Sequence, residues 1–290
     1  MTTTILVTGA TGTIGSRLVK ALTGKANTAV RVAVRDAKQG AALEGGNITP
    51  VAFDWTKPET VAAALRGVDK AFLLTPFDDQ SVGYGKAFVD AAKTAGVKHL
   101  VKLSVVGAEQ EPGILGGRWH REVEKHIEAS GLAYTFLRPG FFADNFIGYY
   151  PPDAEGVIYL PIGDGAVSWI DTRDIADVAA HVLTTSGHEG QAYVLTGPEA
   201  LTIAQAAASI GAASGRNVRY VDVPESAAEG AMKGMGLPAW MIQVMMELHG
   251  ICKAGYASGV SDAVEKLLGR KPRTFAEFTR DYAAAWKPKA

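Results

Sequence analysis

Short runs of β-branched and aliphatic residues alternate, along the first half of the chain, with longer stretches in which apolar positions return every third or fourth residue. The runs TILVTG, AVRVAVR, ITPVAFD, KAFLLTP, HLVKLSV and AYTFLRP predict six strands, and helical periodicity fills 13–23, 58–66, 80–95 and 117–129 between them. Apolar strands separated by helices make a parallel sheet covered on both faces. With right-handed crossovers this is an α/β fold, a doubly wound sheet of Rossmann type.

After Pro139 the rhythm changes. The pattern predicts a helix over FFADNFIGYY, a strand pair from GVIYLP and AVSWID, and a helix over 172–185. A further strand, QAYVLTG (191–197), is expected to return to the main sheet. One more strand, VRYVDVP, precedes or accompanies helices near 202–213, 238–252, 261–268 and 274–286. The expected organisation is therefore a sheet domain over residues 1–150 and an interleaved, mainly helical region over 151–290.

Composition narrows the picture modestly. The 290 residues are 47% hydrophobic and 20% charged with a formal net charge of −1, an ordinary globular balance that implies no nucleic-acid partner. No apolar stretch approaches the roughly 18 residues of a membrane span. The N-terminus reads MTTTILVTGATG, without a basic export signal, and the single cysteine, Cys252, has apolar neighbours that suit a buried thiol. A cytoplasmic location fits both, and an assembly of identical chains is left open. The six histidines form no H-x-x-x-H or H-E-x-x-H pair, so no metal site is expected.

The chemistry begins at ILVTGATGTIGSRLVKAL, a strand, a turn with Gly9, Gly12 and Gly15, and an amphipathic helix in that order. Such a turn suits a dinucleotide: Gly9 permits the sharp bend, Gly12 admits a pyrophosphate to the backbone, and Gly15 lets the helix close on the strand. Thr11 lies in the turn, and the N–H groups of Thr13 and Ile14 face the phosphates at the positive helix end. The second strand ends in Arg35 and Asp36, about 20 residues on, where adenosine ribose is recognised. Arg35, aided by Lys38, favours the 2′-phosphate of NADP, whereas Asp36 either serves the free 2′-hydroxyl of NAD or caps the next helix. NADPH is the expected cofactor, with NAD possible. Asp54 ends the third strand and either meets adenine or caps a helix; Leu74, Thr75 and Pro76 end the fourth and wall the same crevice.

The G-x-x-G-x-x-G spacing resembles the short-chain dehydrogenase/reductase superfamily, most members of which pair a serine at the fifth strand with Tyr-x-x-x-Lys in the following helix. Ser104 is present, but RWHREVEKHIEA contains no such tyrosine. His120 and Glu124 lie four apart there, on one helix face, so that a histidine–acid contact is expected. The segments TGATGTIG, GVKHLVKLSVVGA, WHREVEKHIEASGLAYTFLRPGFFADN and WIDTRDIADVAAHVL resemble, in order and over nearly the whole chain, the atypical NmrA-like family. Within it the chain looks most like triphenylmethane reductase, NAD(P)H:quinone oxidoreductases and the ergot-alkaloid imine-reducing dehydrogenases.

That resemblance implies an NAD(P)H-dependent reductase that passes hydride to a conjugated or cationic small molecule: a quinone, a dye or an imine. Such acceptors are electrophilic enough to dispense with a positioned phenol. His120 or Ser104 is the candidate proton donor; the alternative for His120 is a structural histidine. Residues 1–150 then become the dinucleotide-binding domain. Pro139, Gly140 and Phe141 border the nicotinamide, while Phe142, Asn145 and Trp240, the last in the methionine-rich stretch AMKGMGLPAWMIQVMM, are candidate substrate contacts. Arg138 reads as an ion-pair residue, and Asp171, Thr172, Asp174 and Asp177 as helix caps and polar-face residues. Some NmrA-like proteins are dinucleotide sensors without catalysis, and the cofactor turn alone does not separate the two roles.

Overall fold

A computed structural model describes residues 2–287. The six expected strands are β1 (Thr3–Val7), β2 (Thr28–Val34), β3 (Ile48–Ala52), β4 (Lys70–Leu73), β5 (His99–Leu103) and β6 (Ala133–Pro139). Between them run α1 (Thr13–Leu22), α2 (Ala37–Leu43), α3 (Pro58–Leu65), α4 (Ser81–Thr94) and α5 (Leu115–Ser130). There follow α6 (Asn145–Gly148), β7 (Val157–Leu160), α7 (Thr172–Thr184) and β8 (Gln191–Leu195). The chain ends with α8 (Ile203–Ser214), β9 (Arg219–Asp222), α9 (Glu225–Gly234), α10 (Ala239–Lys253), α11 (Ala263–Leu268), α12 (Phe275–Asp281) and a 3-10 turn at Ala283–Trp286.

The main sheet has the order β3-β2-β1-β4-β5-β6-β8. Ile5 sits between Val30 and Lys70 in parallel register, so the order reverses at β1 and β4, the switch point at which open α/β sheets bind ligands. QAYVLTG does return to this sheet, beside β6.

Contacts divide the chain into two compact units. The first comprises residues 1–113, 117–139 and 175–194, and the second 114–116, 140–174 and 195–290. In the first, Leu6, Ala71, Leu73, Phe88, Val89, Leu100, Val123, Ile127 and Phe136 bury one face of the sheet against α4 and α5. Helix α1 explains its own packing: Ile14, Leu18 and Leu22 recur every fourth residue and all are buried.

The second unit has its own core, in which Phe146, Trp169, Phe275, Phe278 and Trp286 meet edge to face or tilted. Cys252 lies in it fully buried, and burial pushes its thiol up to about 12. Three expectations are corrected here. GVIYLP does not pair with AVSWID: β7 pairs in parallel with β9, and AVSWID makes only isolated bridges through Val167 and Ile170. FFADNFIGYY yields just the single turn α6, because Phe142 is drawn into an extended bridge with Ile170. Asp174, expected on a polar face, is fully buried and ion-paired with Arg270 and Arg273. Helix α9, which buries no residue, was not anticipated.

Candidate functional site

The glycine turn has the geometry its residues suggest. Gly9 takes φ +65°, and the Gly12 N–H closes the turn on the Gly9 carbonyl at 2.9 Å. A Cβ on Gly15 would stand 2.0 Å from that same carbonyl, so only glycine lets α1 approach this closely. Gly12 is the N-cap of α1 and offers no side chain to its first N–H groups. Thr11, Gly12 and Thr13 are exposed, while Ile14 turns inward. Uncapped helical N–H groups on an exposed turn are the arrangement a pyrophosphate needs.

Buried Thr8, which the sequence reading passed over, ties this turn to the end of β4. Its hydroxyl donates toward the Phe72 and Leu74 carbonyls at 3.0 and 3.1 Å and accepts from the Leu74 N–H at 2.8 Å. Leu74 consequently stands over Gly9, and Thr75 and Pro76 follow half-buried.

At the end of β2 the two neighbours take different parts. The Asp36 carboxylate caps α2, accepting from the Lys38 N–H at 2.8 Å. Arg35 and Lys38 are exposed. Asp54 folds back on Thr56, accepting from its N–H at 2.9 Å and its hydroxyl at 2.8 Å. These two bonds hold its carboxyl below the ordinary range, with smaller help from the charges of Lys57 and Arg35.

The densest chemistry lies where α5 crosses β5 and β6. Ser104, just beyond β5, is 2% exposed, and its N–H donates to the Leu137 carbonyl at 2.7 Å. Glu124 is fully buried and held bidentately by Arg138, Nε to Oε1 at 3.0 Å and Nη2 to Oε2 at 2.8 Å, with Arg121 adding a contact at 3.1 Å. Burial alone would raise the Glu124 pKa, but Arg138 and the charge of Lys102 outweigh it and hold the carboxyl below its usual range. Arg138 also reaches Glu109 at 2.9 Å, as its reading as an ion-pair residue anticipated.

His120 therefore does not meet Glu124. Its Nδ1 instead lies 2.8 Å from the ammonium of Lys102, whose Nζ also donates to the Leu103 carbonyl at 3.0 Å. Burial, and next the Lys102 charge, push His120 well below its ordinary value, so the imidazole is neutral at pH 7. Lys102 itself is 1% exposed. The sequence reading missed it, although a signal was present: a lysine inside HLVKL, an interior strand of a sheet covered on both faces, has no route to solvent.

Pro139 ends β6 buried, its carbonyl accepting from Val106 at 2.9 Å. The other candidates belong to the second unit. The Gly140 N–H donates to the Leu195 carbonyl, Phe141 packs edge-on against Trp169, and the Asn145 amide donates to the Tyr150 hydroxyl at 3.3 Å. Phe142 and Trp240 are half-buried. Among the described residues, no group of three or more histidine, cysteine or acidic side chains is placed to hold a metal ion, and no helix is long and apolar enough to cross a membrane.

Comparison with known proteins agrees with this architecture. Residues 1–279 match the model of the NmrA-like family. The chain is 46% identical over 283 residues to an NAD(P)H azoreductase of Xenophilus azovorans, covering 97% of this chain and 99% of that one. The structure of an NADPH-dependent quinone oxidoreductase from Escherichia coli complexed with NADPH superposes with a TM-score of 0.85 at 30% identity, over 96% of this chain and 99% of the other. Triphenylmethane reductase from Citrobacter sp. complexed with NADP(H) gives the same TM-score at 27% identity and the same coverage. The chain belongs to the NmrA-like family, and is an NAD(P)H-dependent reductase of it.

Proposed function

We propose that the protein uses NADPH to reduce a flat, conjugated electrophile, with azo compounds and quinones as the leading substrate class and cationic dyes or imines as related acceptors. The observation that carries this reading is the neutral His120 on α5, where the wider superfamily holds a tyrosine–lysine pair. A neutral imidazole is a poor acid for activating a simple ketone. It suffices for an acceptor that needs no activation beforehand and takes its proton as the hydride arrives.

The dinucleotide assignment rests on the turn at Gly9, Thr11, Gly12, Thr13, Ile14 and Gly15, which suits a pyrophosphate because Gly12 carries no Cβ and no side chain caps the start of α1. NADP is favoured over NAD because Asp36 is engaged as a helix cap while exposed Arg35, with Lys38 nearby in sequence, has the forked donor set that a 2′-phosphate requires. Asp54 is assigned to adenine, and Leu74, Thr75 and Pro76 to the apolar wall. When bound, NADPH supplies the hydride. His120 and Ser104 meet the negative charge as it develops on the acceptor oxygen or nitrogen. Pro139, Gly140 and Phe141 are assigned to the nicotinamide side, and Phe142, Asn145 and Trp240 to substrate choice, on the strength of the family resemblance.

The direct test follows NADPH consumption optically against azo dyes, quinones, triphenylmethane dyes and cyclic imines. Oxidation by at least one azo or quinone acceptor is expected. Tight NADPH binding with no oxidation by any of them would overturn the proposal.

A further inference from the structure

A neutral histidine cannot hand on a proton without acquiring another, and the structure holds a second group in line with it. We propose that Lys102 acts through His120 as an internal proton source: the Lys102 ammonium protonates Nδ1 as the opposite ring nitrogen releases its proton to the substrate while hydride reaches it. This rests on His120 as the donor in the proposed reductase reaction and adds a residue to which no role has yet been given.

The geometry is specific. Nζ of Lys102 and Nδ1 of His120 are 2.8 Å apart, and a cationic ammonium has no acceptor capacity, so Nδ1 accepts and the neutral ring carries its hydrogen on Nε2. Among the described residues Lys102 has no ion-pair partner: its second bond goes to the Leu103 carbonyl. The charged groups that act on it are Glu124 on α5 and Arg138 on β6, which pair with each other. An ammonium left in such a place loses its charge readily. Burial first, with Arg138 assisting and Glu124 opposing, brings Lys102 down to about 7.

The transfer balances. The Nε2–H bond breaks as an O–H or N–H bond forms on the reduced substrate anion; an Nζ–H bond breaks as Nδ1–H forms. The substrate anion and the ammonium are both neutralised, the histidine ends as its other neutral tautomer, and water reprotonates Lys102 afterwards. A cationic imidazole is not required.

The test begins with the free wild-type protein and ¹⁵N-labelled histidine. As pH rises through about 7 and Lys102 loses its proton, its amine becomes an acceptor, and the His120 hydrogen moves from Nε2 to Nδ1. The expected signal is an exchange of the two His120 nitrogen shifts without formation of imidazolium, present in wild type and absent in Lys102→Met. Single-turnover quinone reduction should fall about tenfold or more in Lys102→Met and lose its pH dependence near neutrality, with NADPH affinity unchanged within about twofold. Lys102→Arg keeps the charge but cannot release a proton, so it should not restore the rate.

Failure separates cleanly. If His120→Ala slows quinone reduction but wild-type His120 shows no tautomer exchange between pH 5 and 9, the relay is wrong and His120 stands alone. If Lys102→Arg restores both rate and pH profile, Lys102 merely orients the ring, which also overturns the relay. If no acceptor is reduced at all, the reductase reading itself fails, while the wild-type nitrogen titration still reports on the Lys102–His120 pair.

Discussion

Arg35 and Asp36 are adjacent in sequence, yet their surroundings divide the labour. Asp36 is held by the first turn of α2. Replacing it with alanine should cost about 1 kcal/mol of stability, the ordinary value of an aspartate N-cap, and should leave NADH and NADPH affinities equally unaffected. Chemical denaturation and cofactor titration of Asp36→Ala check both halves. Arg35→Ala should weaken NADPH by about ten- to a hundredfold, a loss of about 1.5 to 3 kcal/mol for charge-assisted bonds, while NADH changes little. Equal losses for both cofactors would show that Arg35 does not read the 2′-phosphate. Sequence offered these two residues as alternatives because it gives a strand end without its neighbours; the choice depends on whether a short helix, α2, forms to engage one of them.

At the scale of elements, α5 is pinned to the sheet through Glu124. The pair with Arg138 is buried on the glutamate side and nearly so on the arginine side, where 12% of the side chain is exposed. Removing one partner leaves the other charge uncompensated, so Glu124→Ala should destabilise the protein by about 3 kcal/mol or more at pH 7. The Glu124 pKa is lowered on folding, so its contribution is complete above the ordinary glutamate value of 4.5 and is lost as pH falls through the lower folded value. Urea denaturation of wild type and variant should therefore converge in acid; a constant difference down to pH 3 would contradict the assignment. Periodicity made the strands of the main sheet and most long helices legible, since each depends on an apolar pattern its own residues display. It did not reveal which side chains α5 presents to β5 and β6. His120 and Glu124 share a helix face, but the partner of each is chosen by strand residues Lys102 and Arg138 that come from elsewhere in the chain. AVSWID failed as a strand for a related reason: alternation suits extended backbone, while pairing requires a free neighbouring edge, and β7 finds β9 instead.

Across the whole molecule, the candidate site residues fall in both interleaved units. The glycine turn, the end of β2 and the Lys102–His120 pair belong to the first, and Phe142, Asn145 and Trp240 to the second. The family resemblance was readable from four segments because dinucleotide binding constrains residue type and spacing locally. Substrate identity is not written that way, because no such local spacing rule marks the residues proposed to contact the acceptor. The central claim is hydride transfer to such an acceptor with His120 supplying the proton when one is needed. The most direct test is single-turnover oxidation of prebound NADPH, in wild type and His120→Ala, by a quinone and by a cationic triphenylmethane dye across pH. The quinone reaction should slow by about a hundredfold in the variant, while the dye, whose product is complete once hydride arrives, should react at nearly the wild-type rate. Equal quinone rates in the two proteins, or no oxidation of bound NADPH by either acceptor, would contradict the account.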